Sequence, residues 1–233
     1  MKKYKFFIAL LIIAFAANAY GQRPKKFIKV GEEFMENGKY QDAIIQFSNA
    51  LELDPDNEDA YLLWARSHEK LDDYSSALKD YEKLTIFDDK EEEYYYKTAL
   101  MYYHLNDFNS SLRFLNKALE DTRIYQEARQ LKVNVLIELD HYNEALQLAK
   151  EALRFRENEI NFYNYGLVNE LVGLNDEAEE AYEKAIKKNK YLIEAYVKLA
   201  DLQRRRNKLT QAFQTINEAL EKKENHAPAY RVR

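Results

Sequence analysis

The sequence predicts an all-α fold, a solenoid built from about six antiparallel pairs of helices. Small and apolar residues recur at helical spacing, at i, i+3, i+4 and i+7, along the chain. This pattern repeats with a period of 33 or 34 residues. The 233 residues include only 5 glycines and 3 prolines, too few turn formers for a β-sandwich or an α/β fold.

The stretch 24–57 is the clearest copy of the repeat. The apolar face of its first helix consists of Phe27, Val30, Gly31 and Phe34. Asn37 and Gly38 break that helix, because glycine ends a helix without a Cβ penalty. The matching face of its second helix consists of Ala43, Phe47, Ala50 and Leu51. Pro55 stops the second helix, so the stretch predicts a helical hairpin.

Three phase-locked series of mostly small residues carry the period along the chain. The series in the middle of the second helices is Ala43, Ala77, Ser111, Ala145, Ala178 and Ala212. Seven residues later runs the series Ala50, Leu84, Ala118, Ala152, Ala185 and Ala219. The series in the first helices is Gly31, Ala65, Ala99, Val133, Gly166 and Ala200. Small side chains let two helix axes approach to about 8–10 Å. We expect the Ser111 hydroxyl to bond a carbonyl one turn back in its own helix.

The series divide the chain into six predicted repeats. Their ranges are 24–57, 58–91, 92–125, 126–158, 159–192 and 193–226. Each contains a helix-breaking turn, at Asn37-Gly38, Asp72-Asp73, Asn106-Asp107, Asp140-His141, Gly173 with Asn175, and Asn207. Residues 227–233 match the start of a further helix. We expect this cut-off repeat either to continue in a longer parent protein or to leave an apolar C-terminal end that self-associates.

The spacing Phe-x2-Val-Gly-x2-Phe, then Ala-x3-Phe, Ala and Pro, resembles the tetratricopeptide repeat (TPR) pattern. The resemblance implies a right-handed superhelical solenoid whose concave groove, lined by the first helices, grips peptides or partner helices. Pro55 is not repeated in the later copies, which weakens single repeats but leaves the period intact. Chaperone-binding members of the family grip a carboxylate through Lys and Asn where this chain has Ile28 and Glu32, so that activity does not carry over.

The resemblance places a set of aromatic, apolar and amide side chains in the groove of the third to fifth repeats. These candidate binding residues are Tyr96, Leu100, Tyr103, Asn134, Ile137, Tyr163, Asn164 and Leu167. A contiguous apolar stripe on an exposed face marks an interaction site, and tyrosine is a frequent hot-spot residue. Asn134 and Asn164 could bind a peptide backbone through their amides. The alternative is that superhelical curvature buries these residues as part of the core.

Residues 1–21 have the layout of a secretory signal peptide. Three lysines, Lys2, Lys3 and Lys5, precede an apolar run at 6–17. Small residues then allow cleavage after Ala19 or after Gly21. An uncleaved membrane anchor is the alternative, but a spanning helix needs about 20 apolar residues. We therefore expect a secreted, periplasmic protein with no membrane span after cleavage and, since the chain has no Cys, no lipid anchor.

The composition and the lack of catalytic motifs argue against enzymatic activity and against nucleic acid as the main partner. The formal net charge is −5, and loss of the leader lysines makes it more negative, whereas phosphate binding needs clustered positive charge. The four histidines, His68, His104, His141 and His226, lack metal-ligand spacing. No nucleophile elbow or Walker-type loop occurs, so we expect neither enzymatic activity nor a cofactor. The run 204–206 is three arginines, which we interpret as a solvated face rather than a site for an anionic partner.

These observations favour a non-catalytic scaffold outside the cytoplasm that binds a peptide or partner helix. Secreted bacterial proteins that resemble it often assist envelope assembly or secretion, so the resemblance suggests such a role. The alternative is an N-terminal adaptor module of a longer protein whose downstream domain is enzymatic or binds cell wall. Reading the coding sequence beyond Arg233 would separate the two.

Overall fold

The computed structural model of the protein describes residues 23–88, 92–120 and 126–224. Within these residues it is all-α and forms two compact units. The first unit ends at Ala118 and the second begins at Leu119. The predicted signal peptide at 1–21 and the predicted further helix at 227–233 lie outside the described residues.

Each unit contains six helices in the part of the chain that the structure describes. In the first unit these are α1 (23–36), α2 (Tyr40–Leu53), α3 (Glu58–Lys70), α4 (Tyr74–Phe87), α5 (Glu92–His104) and α6 (Phe108–Ala118). In the second they are α7 (Gln126–Glu138), α8 (Tyr142–Phe155), α9 (Glu159–Leu171), α10 (Asn175–Lys188), α11 (Ile193–Arg205) and α12 (Leu209–Glu224). Consecutive helices pack on each other within each unit, which confirms the predicted all-α fold of paired helices.

The first helix of every pair ends in the same turn. One residue in each turn has a positive φ: Gly38, Asp72, Asn106, Asp140, Gly173 and Asn207. The next N–H donates to the carbonyl five residues back, for example from Lys39 to Phe34 at 2.9 Å. This is the Schellman arrangement, which satisfies helix-end carbonyls and needs a left-handed residue. Only glycine, asparagine and aspartate tolerate that conformation well, and these types fill all six turns.

The three predicted series of small residues lie in the core. All 18 positions are buried in the two units. At Gly166 the reason is direct, since a Cβ there would lie 2.7 Å from the Tyr182 ring. Gly31 is packed against the Phe47 ring in the same way. Glycine in the first helix therefore makes room for a ring from the second helix of the same pair.

The predicted hydrogen-bond acceptor of the Ser111 hydroxyl was wrong. The hydroxyl donates to the carbonyl of Ala99 on α5 at 2.8 Å, not to a carbonyl of its own helix α6. Two helices that approach this closely bring a backbone carbonyl within reach, and a buried hydroxyl needs an acceptor. Ser111 therefore links the two helices of its pair.

Candidate partner-binding face

Five of the eight predicted binding residues lie on two neighbouring helices of the second unit. Asn134 and Ile137 are on α7, and α7 contacts α9 directly. The residues on α9 are Tyr163, Asn164 and Leu167. We call these five residues the α7/α9 face. All except Asn164, which is 5% exposed, are half-buried and keep part of their surface open to solvent.

The α9 part of this face also contributes to the core. Tyr163 and Leu167 pack against a buried cluster that contains Tyr182, Leu199 and Leu202. The ring centroids of Tyr163 and Tyr182 lie 6.0 Å apart. Burial raises the pKa of the Tyr163 hydroxyl, with smaller contributions from nearby carboxylates. These two side chains therefore have both a packed side and an exposed side.

The other three predicted residues lie on α5 in the first unit. Leu100 packs against the buried cluster around Tyr81, as a partly buried member of it. The ring of Tyr103 lies 5.6 Å from the ring of Phe108. Tyr96 is half-buried on the same helix. The structure thus distributes the predicted residues over both units, five in the second and three in the first.

A recurring polar contact that the sequence analysis missed lies near the ends of two first helices. Tyr81 donates its hydroxyl hydrogen bond to Glu69 at 2.8 Å, and Lys97 of α5 donates to the same carboxylate at 2.9 Å. In the second unit, Tyr182 donates to Glu170 at 2.6 Å. Both tyrosines follow their glutamates by 12 residues, a spacing visible in the sequence. Each contact fixes a large buried ring to the first helix of its own pair.

The arginine run 204–206 forms ion pairs within the second unit. Arg205 pairs with Glu170 of α9, and Arg206 pairs with Asp176 and with Glu179 of α10. Arg204 pairs with Asp201 in its own helix. Two of the arginines therefore connect helices, a structural role that the interpretation as a solvated face did not include.

Between residues 23 and 224, apart from the two gaps, no helix combines the length and apolar character that crossing a membrane requires. Nor does any group of three His, Asp or Glu side chains within those residues have an arrangement suited to a metal ion.

Comparison with protein families gives two matches, one near each end of the chain. A model described as TPR repeat matches residues 31–72, and a model described as tetratricopeptide repeat matches residues 172–227. Comparison with curated proteins gives no match.

Solved structures share the fold at low sequence identity. A tetratricopeptide repeat protein from Parabacteroides merdae has a TM-score of 0.78 and 20% identity, covering 86% of this chain and 80% of its own. PilF of Pseudomonas aeruginosa has a TM-score of 0.69 and 15% identity, and the alignment covers 91% of this chain and 95% of the PilF chain. PilW, described as a widely conserved type IV pilus biogenesis factor, has a TM-score of 0.67 and 18% identity. The alignment covers 88% of this chain and 92% of the PilW chain.

The paired helices, the repeated turn and the small-residue contacts define an α-helical repeat protein. Together with the family matches over residues 31–72 and 172–227, these features support a tetratricopeptide repeat protein. Proteins with this fold generally serve as scaffolds that bind protein partners.

Proposed function

We propose that this protein is a non-catalytic scaffold that acts outside the cytoplasm and binds a peptide or partner helix on its α7/α9 face. The contact between α7 and α9 carries the proposal, because it places the helix with Asn134 and Ile137 beside the helix with Tyr163 and Leu167. A surface of this composition suits a bound peptide. Tyrosine supplies contact area with little loss of conformational freedom, and asparagine amides can pair with a peptide backbone.

The proposed location rests on the leader at 1–21. A role in envelope assembly draws support from the TPR structures of similar fold, among which PilW is described as a pilus biogenesis factor. At 18% identity that similarity supports the fold alone, so the role is part of the proposal.

The binding proposal is tested by selecting peptides from a random displayed library against the full chain and measuring their affinity for variants. We expect Ile137→Ala to weaken selected peptides about tenfold or more, since hot-spot truncations cost at least that much. The matched control is Phe213→Ala, which removes an apolar side chain that is 69% exposed on α12. Equal affinity for the wild type and Ile137→Ala, in a variant whose unfolding is unchanged, would contradict the α7/α9 site.

The location is tested by expressing the whole chain in a Gram-negative host, fractionating the cells and sequencing the N-terminus of the product. We expect a periplasmic protein that begins at Tyr20 or Gln22, according to the cleavage site. A product that retains Met1 and sediments with the cytoplasmic fraction would contradict the proposed location without bearing on the peptide site.

A further inference from the structure

α12 packs on α11 through one side of the helix. Ala212 and Ala219 belong to the small-residue series that mark such contacts, and both are buried. Thr215 lies between them in the sequence and donates a hydrogen bond to Gln203 of α11 at 2.9 Å. These contacts fix how α12 is turned about its axis, so they determine which of its side chains lie outside the pair.

Four apolar residues form a stripe on α12 next to that packed side. Leu209, Phe213, Ile216 and Leu220 are separated by four, three and four residues, so they share one face of the helix. Phe213 is 69% exposed, Leu209 59% and Leu220 50%, and Ile216 is half-buried. Among the described residues, α12 has more exposed large apolar side chains than any other helix. We call these four residues the α12 face, and exposed apolar side chains that lie together mark an interaction site.

In the preceding pair, the first helix of the next pair covers the same places. On α10, Tyr182 and Ile186 hold the places of Ile216 and Leu220, and they pack in one cluster with Leu199 of α11. The clusters that join α4 to α5 show the same cover. Within the described residues no helix follows α12. The α12 face is therefore suited to a helix that lies along it.

The spacing makes the α12 face complementary to itself. Leu209 and Leu220 lie equally far from the point between residues 214 and 215, and so do Phe213 and Ile216. Two copies of α12 placed antiparallel about a two-fold axis through this point bring each Leu209 against the partner's Leu220 and each Phe213 against the partner's Ile216. The separations of four, three and four residues are also those of the apolar positions in a helix that packs on another helix.

Charge does not oppose this pairing. Along the open side of the α12 face lie Thr210, Gln214 and Asn217, which are exposed and share a face by helical spacing. All three are uncharged, so two copies that meet about the two-fold axis set no like charges against each other there. The chain as a whole has a net charge of −5, which makes a neutral surface the place where two copies approach with least repulsion. A strongly charged partner helix would find no opposite charge along this side.

We propose that the α12 face is a dimerisation surface that binds the α12 face of a second copy of this chain in antiparallel orientation. The proposal gives the self-association expected from the sequence a defined surface and a defined geometry. It does not depend on peptide binding at the α7/α9 face. Each copy contributes one face of one helix, which is less than a standard interface, so we expect a dissociation constant of about 1–100 µM.

The test is sedimentation equilibrium of protein purified from cells that express the whole chain, at about 1–200 µM so that the expected dissociation constant is bracketed. We expect a monomer–dimer equilibrium that Phe213→Glu weakens at least tenfold, because the substitution sets two carboxylates near the two-fold axis. Phe213 is exposed in the monomer, so thermal unfolding of the dilute variant should match the wild type. The matched control is Ile86→Glu, which changes an apolar side chain that is 74% exposed on α4 and should leave dimerisation unchanged.

The orientation is tested with single cysteines, since the chain has none of its own. In the antiparallel dimer the two copies of residue 209 lie about 16 Å apart along the helices, whereas a disulfide needs Cα atoms within about 7 Å. We therefore expect mild oxidation to cross-link a mixture of the Leu209→Cys and Leu220→Cys proteins, and neither protein alone.

Three results would each overturn the proposal. A protein that stays monomeric over the whole concentration range would assign the α12 face to another occupant, such as residues 225–233 or a helix of a different protein. A dimer that Phe213→Glu leaves intact would place the interface elsewhere on the chain. Cross-linking of Leu209→Cys alone would contradict the antiparallel orientation. None of these results bears on the peptide affinity of the α7/α9 face, so the two proposals fail separately.

Discussion

The α7–α8 and α9–α10 pairs of the second unit solve the same packing problem in opposite ways. In α9–α10, Gly166 on the first helix accepts the fully buried ring of Tyr182 from the second. In α7–α8, the corresponding positions are Val133 and Ala149, so the larger side chain is on the first helix. Both arrangements bury the contact, but only α9–α10 fills its interior with a ring. The comparison indicates that the repeat constrains the pair of side chains rather than either residue alone.

We expect the largest loss of stability when the side chains that pack α9 on α10 are changed toward those that pack α7 on α8. Tyr182→Ala removes a buried ring and its hydrogen bond to Glu170, so we expect it to lower the free energy of unfolding by about 4 kcal/mol in urea denaturation. Adding Gly166→Val to Tyr182→Ala should recover about 1 kcal/mol, because the new methyl groups fill part of the cavity.

The control for that pair is Val197→Ala, whose side chain is 50% exposed and should cost less than about 0.5 kcal/mol. A double variant less stable than Tyr182→Ala alone would show that the two packing arrangements are not interchangeable.

Buried charge sharpens the comparison between pairs, since α3–α4 buries the carboxyl of Asp80 and α7–α8 buries the guanidinium of Arg129. Asp80 is 8% exposed, and burial raises its pKa to about 7. The folded state therefore holds a proton that the unfolded state releases near its ordinary pKa of 3.8, so Asp80 makes stability fall as pH rises from about 4 to about 7. We expect Asp80→Asn to be more stable than the wild type by about 1–2 kcal/mol at pH 8 and by little near pH 4.

The measurement is thermal or urea unfolding of both proteins between pH 4 and pH 8, with the exposed Asp56→Asn as the control. The ring nitrogens of His68 lie 3.3 Å from Asp73 and 3.9 Å from Asp80, and burial lowers the pKa of His68 against an opposing effect of Asp73. A stability difference that stays constant with pH would contradict the raised pKa of Asp80.

The smallest expected effect concerns the turns that end α7 and α9. Asp140 has a φ of 59° and Gly173 a φ of 83°. The turn after α7 therefore uses aspartate, which tolerates the left-handed region, and the turn after α9 uses glycine. Gly173→Ala should cost about 1 kcal/mol, because alanine is strained there although no atom lies within 4 Å of the new Cβ. Gly173→Asn should cost less than half as much. Equal losses in urea denaturation for the two variants would contradict an origin in backbone conformation.

The paired helices were predictable because their signals are local. Each turn needs a Gly, Asn or Asp, and each close approach needs a small residue, so three spaced series sufficed to locate the helices and their buried contacts. The exposure of Tyr163 and Leu167 was not predictable in this way. It depends on Tyr182, Leu199 and Leu202, which come from later helices and whose reach is set by packing rather than by the period.

Arg129 on α7 illustrates a signal that was present in the sequence but needed the structure to interpret. It stands where the other first helices have an aromatic residue, and one substitution of this kind is compatible with a surface residue. The structure instead shows Arg129 5% exposed, with its guanidinium carbon 4.4 Å from the centroid of the Phe155 ring. The predicted binding residues on the α7/α9 face stay a prediction that the peptide experiments address.

The order of helix packing has a consequence for how the chain folds. Within each unit the closest backbone contacts join helices that are adjacent in sequence, together with α7 and α9, and side-chain contacts reach the next-but-one helix, as from Tyr163 on α9 to Leu199 on α11. Contacts between segments so close along the chain cost little loop-closure entropy, and proteins dominated by them fold in microseconds to milliseconds. A hairpin such as α3–α4 can therefore close as soon as its second helix has been synthesised, with no need to wait for the C-terminus. The short turns that end each first helix therefore allow folding to begin at any pair and to spread to its neighbours.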